Sequence, residues 1–327
     1  MAQDIEIDLL IVGAGPVGLF GVYYAGFRGL SVAVVDSLPE LGGQVTAMYP
    51  EKDIFDVGGF AVVKGKDLVK GLVDQAAKAE PTYLLGRTAV SLASEGEEGP
   101  VRVGLDDGTT VVAEAVIITA GIGKFTPRPL PAADGWTGDE VAFFVPSFDG
   151  YADKDVVIVG GGDSAFDWAI ALEPIARSVT LVHRRDAFRA HQATVDQVKA
   201  SSVRILTSSN VSRLVGDDGL HSVEVEHVKT KEVQTLPCQA VVAALGFVAD
   251  LGPIQEWGLE VDKRRILVDS ATRTNLPRVF AAGDITEYPG KVRLIAVGFG
   301  EVATAVNNAA VAINPEAHLF PGHSSEG

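Results

Sequence analysis

Residues Asp8 to Asp36 read DLLIVGAGPVGLFGVYYAGFRGLSVAVVD, and this stretch decides the fold. The apolar run that ends at Val12 predicts a short strand, the apolar spacing over residues 17–28 predicts a helix, and residues 31–35 predict a second strand. A helix that connects two apolar strands implies a parallel pair, because antiparallel neighbours need only a tight turn. The stretch therefore predicts a βαβ unit.

The same order of elements recurs in the middle of the chain. Residues 155–159 predict a strand, glycines occupy positions 160–162, and residues 164–176 and 178–182 predict a helix and a further strand. Parallel strands of this kind are covered on both faces. The two units therefore predict an α/β protein with two doubly wound, three-layer nucleotide-binding domains.

Two glycines that follow predicted strands bracket the second unit, and we expect the chain to cross between domains at these points, Gly121 and Gly246. The outer domain is then discontinuous, with residues 1–121 and 246–327, and the inserted domain comprises residues 122–245.

The segment between the two units is expected to add strands to the outer domain. Residues 101–105 and 110–119 predict a hairpin around Gly108, and residues 83–92 predict one strand before it.

The turn after the first strand has the pattern G-x-G-x-x-G, formed by Gly13, Gly15 and Gly18. The first glycine permits the tight turn, the second lets the backbone approach a pyrophosphate, and the third lets helix and strand touch. Asp36, at the end of the next strand, can accept hydrogen bonds from an adenosine ribose diol. A glycine-rich turn can be purely structural, but the strand, the helix and the acid together favour a dinucleotide site.

The second glycine turn has the G-x-G-x-x-A form and includes Gly160, Gly162 and Ser164. Cations stand at the end of the following strand in place of the ribose-binding acid: His183, Arg184, Arg185 and Arg189. Guanidinium groups bind a 2′-phosphate and a carboxylate would repel it, so this unit is expected to bind NADPH rather than NADH. The alternative is an exposed basic turn that binds nothing.

The C-terminal part offers a candidate flavin site. Residues 279–283 predict a buried strand that ends in glycine, and they are followed by Asp284 and an apolar helix over residues 294–313. Asp284 can hold a ribitol hydroxyl, and a helix N-terminus near the flavin pyrimidine would stabilise the negative charge of reduced flavin. On the local pattern alone, a helix-preceding cap is the commoner explanation of Asp284.

Together these motifs resemble the low-molecular-weight thioredoxin reductase group of flavoproteins over essentially the whole chain. Thioredoxin reductases carry Cys-x-x-Cys just before an Asp-Gly, whereas residues 145–148 here read VPSF before Asp149-Gly150. The chain is more similar to the thioredoxin-reductase-like ferredoxin/flavodoxin NADP reductases. The stretches that carry this resemblance are GGQ (42–44) through YPEK (49–52), GDSAFDW (162–168), LGPIQEWG (251–258) and HSS (323–325).

The resemblance implies a homodimer with FAD and NADP(H) as cofactors. It implies the activity of a ferredoxin–NADP(+) reductase: hydride transfer between NADPH and FAD, and single-electron transfer to ferredoxin or flavodoxin. The flavin contacts that it implies are Asp36, Gln44, Tyr49, Val90, Phe125, Asp284 and Ser325. The catalytic residues that the resemblance implies are Tyr49, His323 and Ser325. Tyr49 would be an aromatic platform for the isoalloxazine. His323 and Ser325 belong to a C-terminal tail that, in the family, covers the flavin of the partner subunit.

The amino-acid composition restricts the classes of molecule that the protein is expected to bind. The chain has 327 residues with 43 acidic and 27 basic side chains, and its net charge of −16 argues against nucleic acid and anionic membranes. The single cysteine, Cys238, cannot form an intrachain disulfide or a multi-thiolate metal site, so we expect no metal and a cytoplasmic location. Residues 9–27 are uncharged, but their glycines and proline suit a strand, turn and helix better than a membrane span.

Two other functions fit the same motifs. One is an NADPH-dependent flavin or quinone reductase, and the other is a non-catalytic nucleotide-sensing flavoprotein. Residues 184–213 contain six basic and two acidic residues, a local charge of +4 that is expected to steer an acidic electron carrier.

Overall fold

The computed structural model describes residues 4–322 and divides into two compact units. The first unit consists of Met1–Lys124 and Ala249–Gly327, and the second of Phe125–Val248. The chain thus crosses after Lys124 and after Val248, whereas the sequence predicts crossings at Gly121 and Gly246.

In chain order the strands are β1 (Ile5–Val12), β2 (Val32–Asp36), β3 (Asp53–Ile54), β4 (Val63–Lys64), β5 (Thr82–Leu85), β6 (Ala89–Ser94), β7 (Val101–Leu105), β8 (Thr110–Ile118), β9 (Lys124–Pro127), β10 (Val141–Ala142), β11 (Asp155–Gly160), β12 (Ser178–Val182), β13 (Arg204–Leu206), β14 (Ser209–Val215), β15 (Ser222–His227), β16 (Val233–Pro237), β17 (Ala240–Ala244), β18 (Phe247–Asp250), β19 (Val261–Asp262), β20 (Arg265–Leu267), β21 (Val279–Ala281) and β22 (Thr286–Glu287). The α-helices are α1 (Pro16–Phe27), α2 (Gly43–Met48), α3 (Gly65–Ala76), α4 (Asp163–Leu172), α5 (Gln192–Lys199) and α6 (Ile295–Ile313).

The main sheet of the first unit has the strand order β5-β2-β1-β8-β7-β6, and β21 also pairs with β8. β1 is parallel to β2 and β8, whereas β7 is antiparallel to both β6 and β8. Alternate residues of β1 enter two cores: Leu9 and Ile11 pack with α1, α3 and α6, and Leu10 packs with the β7 strand and with Ile254 and Trp257. The doubly wound α/β class is confirmed, although a short 3₁₀ helix, Gly252–Glu256, and extended segments cover the second face instead of α-helices.

The structure corrects two element boundaries. The stretch 83–92, predicted as one strand, forms β5 and β6 at opposite edges of the sheet, separated by a turn in which Gly86 has a φ of +67°. The helix predicted over residues 164–176 ends at Leu172, because Pro174 lacks the N–H that a further turn requires.

The second unit contains a parallel five-stranded sheet in the order β10-β17-β11-β12-β13. Helix α4 packs on β11 and β12. The opposite face, which includes Val157, is covered by the antiparallel sheet β14-β15-β16 through Val223 and Val225. This small sheet was not predicted from the sequence.

Helix α6 is the one helix within residues 4–322 that is long and apolar enough to cross a membrane. Its Val302, Ala305 and Val306 are buried in the core of the first unit, and it also carries the buried polar residues Glu301 and Asn308. Packing inside the domain therefore accounts for the buried part of α6, which is 44% of its apolar window.

A glycine loop follows β1 in the first unit, and another follows β11 in the second. Parallel α/β sheets bind ligands beyond the carboxyl ends of their strands, near such loops. The fold therefore directs attention to these two sheet edges.

Candidate functional site

The first glycine loop is closely packed except at Gly15. Gly13 has a φ of +117°, and a Cβ on Gly18 would lie 1.9 Å from the Gly13 carbonyl oxygen. A Cβ on Gly15 would meet no atom within 4 Å, and no side chain caps the start of α1. The loop thus leaves open space beside unpaired N–H groups at a helix N-terminus, as a bound pyrophosphate requires.

Asp36 braces this loop. Its Oδ2 accepts a hydrogen bond from the Ala14 N–H at 2.7 Å, and its Oδ1 accepts one from the Leu38 N–H at 2.8 Å. Burial raises the pKa of Asp36, while the two backbone N–H groups oppose that rise. The carboxylate oxygens keep further lone pairs, so the predicted ribose contact stays compatible with this bracing.

Gln44 lies in the segment that covers the first glycine loop. The Gly42 N–H donates to the Ala14 carbonyl oxygen at 2.9 Å, and a Cβ on Gly43 would lie 3.0 Å from the Gly15 Cα. A Cβ on Gly121 would lie 2.7 Å from Gln44 Nε2. The structure therefore brings this segment and the end of β8 together at the same loop.

Tyr49 and Asp284 lie in the same region of the first unit. Burial raises the pKa of the Tyr49 phenol, and the carboxylates of Asp284 and Asp56 raise it further, so Tyr49 and Asp284 interact electrostatically. A Cβ on Gly283 would lie 3.3 Å from Val17, and one on Gly298 would lie 2.5 Å from Val17. Asp284 and the start of α6 are thus held close to the first turn of α1.

The remaining predicted flavin contacts have different settings. Val90 is 42% exposed and is the bulged residue of β6. Arg87, three residues earlier, links this part of the chain to Asp36, because its N–H donates to the Asp36 carbonyl oxygen at 3.1 Å. Phe125 is the first residue of the second unit, where its ring packs against Phe144 and Phe247. His323 and Ser325 lie outside the described residues. These four assignments stay predictions, as do those of the other predicted site residues.

The second glycine loop repeats the pattern of the first. A Cβ on Gly160 would lie 2.5 Å from the Ala244 carbonyl oxygen and 2.9 Å from Ala165 Cβ, whereas one on Gly162 would meet nothing within 4 Å. Ser164 is exposed in the first turn of α4, a helix without a side-chain cap. This loop too is tight everywhere except where a phosphate would approach.

His183 is a packed residue. A Cβ on Gly161 would lie 2.3 Å from the His183 ring, and His183 Nε2 lies 3.2 Å from the Ala187 carbonyl oxygen. Burial lowers the pKa of His183, and neighbouring arginine charges lower it further, against the effect of the Ala187 carbonyl. The lowered pKa favours the neutral ring at pH 7, and the ring packs against Gly161 of the glycine loop.

Arg184, Arg185 and Arg189 are exposed at the carboxyl end of β12. Within residues 4–322 the structure gives their side chains no ion pair and no hydrogen bond, although Asp186 is engaged by Ser208. Three unneutralised guanidinium groups beside an open glycine loop can bind a phosphate monoester.

One residue of the site was missed by sequence reasoning. Thr119 is 6% exposed, and its Oγ1 donates to the Gly13 carbonyl oxygen at 2.7 Å, which ties the end of β8 to the glycine loop. The sequence feature that could have indicated this contact is a hydroxyl residue at the end of a strand, next to Ala120-Gly121. Among residues 4–322, no group of three or more His, Cys, Asp or Glu side chains is arranged to hold a metal.

Comparisons with known proteins agree with this geometry. The family described as pyridine nucleotide-disulphide oxidoreductase matches residues 7–311. A ferredoxin–NADP reductase of Nocardioides sp. is 70% identical over 99% of this chain and 98% of its own. One from Saccharopolyspora erythraea is 63% identical over 98% of this chain and 97% of its own.

Among solved structures, T. acidophilum thioredoxin reductase is similar, with a TM-score of 0.76 and 27% identity. The match covers 93% of this chain and 98% of that one. Lactococcus lactis thioredoxin reductase has the same TM-score at 22% identity, over 94% and 99% of the two chains, which supports the fold alone. The chain therefore belongs to the pyridine nucleotide-disulphide oxidoreductase family and, within it, to the ferredoxin–NADP reductases built on a thioredoxin-reductase-like fold.

Proposed function

We propose that this protein is an FAD enzyme that oxidises NADPH and reduces a small one-electron carrier, ferredoxin or flavodoxin. The observation that carries the proposal is the contrast between two otherwise similar glycine loops. The first is followed by the carboxylate of Asp36, and the second by three arginine side chains with no acidic partner in the described chain. The near full-length relatives are named ferredoxin–NADP reductases, which supports ferredoxin as the carrier, and flavodoxin follows from the family resemblance.

In the first unit, the open face of Gly15 and the N–H groups that begin α1 would hold the pyrophosphate of FAD. Asp36 would bind the adenosine ribose, Asp284 a ribitol hydroxyl, and Tyr49 would pack its ring against the isoalloxazine. When bound, the flavin accepts a hydride and releases its electrons singly. The residues act chiefly by holding it in place, since hydride transfer needs no protein nucleophile.

In the second unit, the start of α4 and the Ser164 hydroxyl would bind the pyrophosphate of NADPH, with Gly162 leaving room for it. Arg184, Arg185 and Arg189 would bind the 2′-phosphate, which NADH lacks. We therefore propose the second unit as the NADPH domain and the first as the FAD domain.

The acceptor would be reduced at the flavin without a thiol relay. Burial raises the pKa of Cys238, the chain's single cysteine, to about 12, so its thiol is neutral at physiological pH. A disulfide relay needs two cysteines able to pair, and the thiolate is the reactive form. This property separates the chain from thioredoxin reductases of similar fold.

We propose that the enzyme is a homodimer in the cytoplasm. Support for a second copy comes from a row of aromatic rings on α1, a helix without a charged residue. Phe20 packs against Phe299 of α6 at 5.1 Å between ring centroids, Tyr24 packs against Phe27 at 5.6 Å, and Phe27 is 36% exposed. A helix that is apolar on all sides is normally covered on all sides. Support for the cytoplasm is the single, buried cysteine.

The cofactor assignment is tested by the flavin that the purified protein releases on denaturation. We expect FAD, and we expect NADPH to bleach the bound flavin under anaerobic conditions much faster than NADH does at equal concentration. Release of FMN, or no binding after reconstitution with FAD, would refute the proposal, because an adenosine-binding first unit has no role with FMN.

A further inference from the structure

A buried ion pair lies behind the loop that carries Asp284, and the mechanism above uses neither partner. Lys291 Nζ lies 2.5 Å from Glu301 Oε1, and the two side chains are 1% and 9% exposed. The Tyr288 hydroxyl donates to the same Oε1, and this bond is the main reason why the pKa of Tyr288 rises to about 12. Buried ion pairs add little net stability because both ions lose their hydration, so this pair calls for another explanation.

Both partners of the pair bind the backbone of Gly283. Glu301 Oε2 accepts the Gly283 N–H at 2.7 Å, and Lys291 Nζ donates to the Gly283 carbonyl oxygen at 3.0 Å. The Thr286 hydroxyl donates to the same carbonyl at 2.8 Å. The peptide groups on both sides of Gly283, whose φ is +83°, are thus fixed, and Asp284 is the next residue.

The pair also ties α6 to this loop. Glu301 lies about two turns into α6, and a Cβ on Gly298, one turn earlier, would lie 3.4 Å from the Gly283 Cα. The start of α6 and Asp284 therefore have one common support. These are the two features of the C-terminal segment expected to face the flavin.

We propose that Tyr288, Lys291 and Glu301 form a positioning cluster that aims Asp284 and the α6 N-terminus at the flavin, and so sets FAD affinity and flavin potential. The inference rests on the proposed function, since it assumes that FAD binds this unit. The cluster touches no substrate; it acts by holding the Gly283 backbone in one orientation.

The test uses two single variants, Glu301→Gln and Lys291→Met, and the double variant. FAD affinity is measured by stepwise dilution of the holoprotein while the fluorescence of released FAD is followed. Outer-shell contacts at metal sites typically contribute roughly 10- to 100-fold to affinity, and we expect at least about a tenfold rise in the FAD dissociation constant here. The flavin midpoint potential should fall, because the helix N-terminus would stabilise the reduced anion less well. NADP+ affinity should not change.

The double variant separates positioning from a purely structural role. It leaves no unpaired buried charge, so its thermal unfolding midpoint should recover relative to the single variants. FAD affinity should stay low, since Gly283 no longer has its ionic clamp. Arg278→Met is the matched control, because Arg278 forms a 2.7 Å ion pair with Glu114, is 8% exposed and precedes the other end of β21. We expect it to lower stability and leave FAD affinity unchanged.

The inference is overturned if the double variant recovers both stability and FAD affinity, or if all three variants bind FAD within twofold of the parent. A parent protein that binds no FAD would instead refute the proposed function, so the two failures are distinguishable.

Discussion

Arg184 and Arg185 are proposed to determine the preference for NADPH over NADH. We expect the double change to Ala to raise the KM for NADPH strongly and leave that for NADH nearly unchanged. Each charge-assisted contact to the 2′-phosphate contributes about 1.5–3 kcal/mol, or one to two decades in affinity. Steady-state kinetics with both cofactors measures the difference.

Arg177→Ala is the matched control, since this exposed arginine pairs with Asp155 and immediately precedes β12, at the amino end of the strand. It should affect neither KM. Equal losses for NADPH and NADH in the Arg184/Arg185 variant would show that these arginines are structural.

Cys238 is expected to be chemically silent. The pKa of the folded thiol is raised by burial from 9.0 to about 12, so at a pH between these values the thiol is neutral in the folded protein and largely ionised in the unfolded one. Iodoacetamide in that range should label only unfolded protein, and Cys238→Ser should keep full activity. Rapid labelling of the folded protein, or lost carrier reduction in the variant, would contradict the absence of a thiol step.

At the residue scale, sequence alone predicted which positions matter in the glycine loops but not what supports them. Gly13, Gly15 and Gly18 stand close together in sequence, so their pattern can be read directly. The bond from Thr119 to Gly13 spans residues that are far apart in sequence, and no local pattern reports it. Glu301 could have been singled out from the sequence, since it is the one charged residue in the apolar helix α6.

At the scale of elements, equivalent substitutions in the two glycine turns test the two cofactor sites separately. Gly15 and Gly162 have negative φ and open space at the Cβ position, so alanine fits the protein itself at both sites. We expect Gly15→Ala to fold but lose most bound FAD, and Gly162→Ala to keep FAD but raise the KM for NADPH. Flavin content and NADPH kinetics are the measurements.

Gly71→Ala provides the control, because Gly71 lies within α3 and also has nothing within 4 Å of its Cβ position. This change should stabilise the protein by about 0.5–1 kcal/mol and leave both cofactors unaffected. Full FAD content in Gly15→Ala would mean that no pyrophosphate approaches this turn.

The predictable elements were those with a strong local pattern. Each βαβ unit has a glycine turn between an apolar strand and a helix, and both units are present, although the helix of the second ends at Leu172 and not at residue 176. The split of 83–92 was missed because strand-forming residues resume at Ala89, directly after Gly86-Arg87-Thr88, while the pairing partner changes from β2 to β7.

The β14-β15-β16 sheet was missed although its strands pair in chain order across short connections. A bulge at Ser212 interrupts the apolar alternation of β14, and β16 buries only Leu236, so neither strand has a clear period-2 pattern.

At the scale of the whole molecule, the aromatic row on α1 should be the contact between two copies. Tyr23 belongs to this row as well, since its ring centroid lies 6.0 Å from that of Phe20. We expect the double change Tyr23→Glu and Phe27→Glu to give monomers that keep FAD, because charges cannot be buried unpaired in an apolar interface. Light scattering coupled to size-exclusion chromatography reports the mass. Val233→Glu, at an exposed valine of the second unit, is the control and should stay dimeric. A monomeric parent protein, or a dimeric double variant, would rule out this interface.

The central claim is electron transfer from NADPH to a one-electron carrier, and one measurement tests it most directly. Purified protein is mixed with NADPH and either ferredoxin, flavodoxin, thioredoxin or a quinone, and carrier reduction is followed at increasing salt. We expect multiple turnovers with ferredoxin or flavodoxin, fastest at low salt, since residues 184–213 carry a local charge of +4 that attracts acidic carriers. Absence of ferredoxin and flavodoxin reduction at low salt, with rapid turnover of thioredoxin or the quinone, would contradict it.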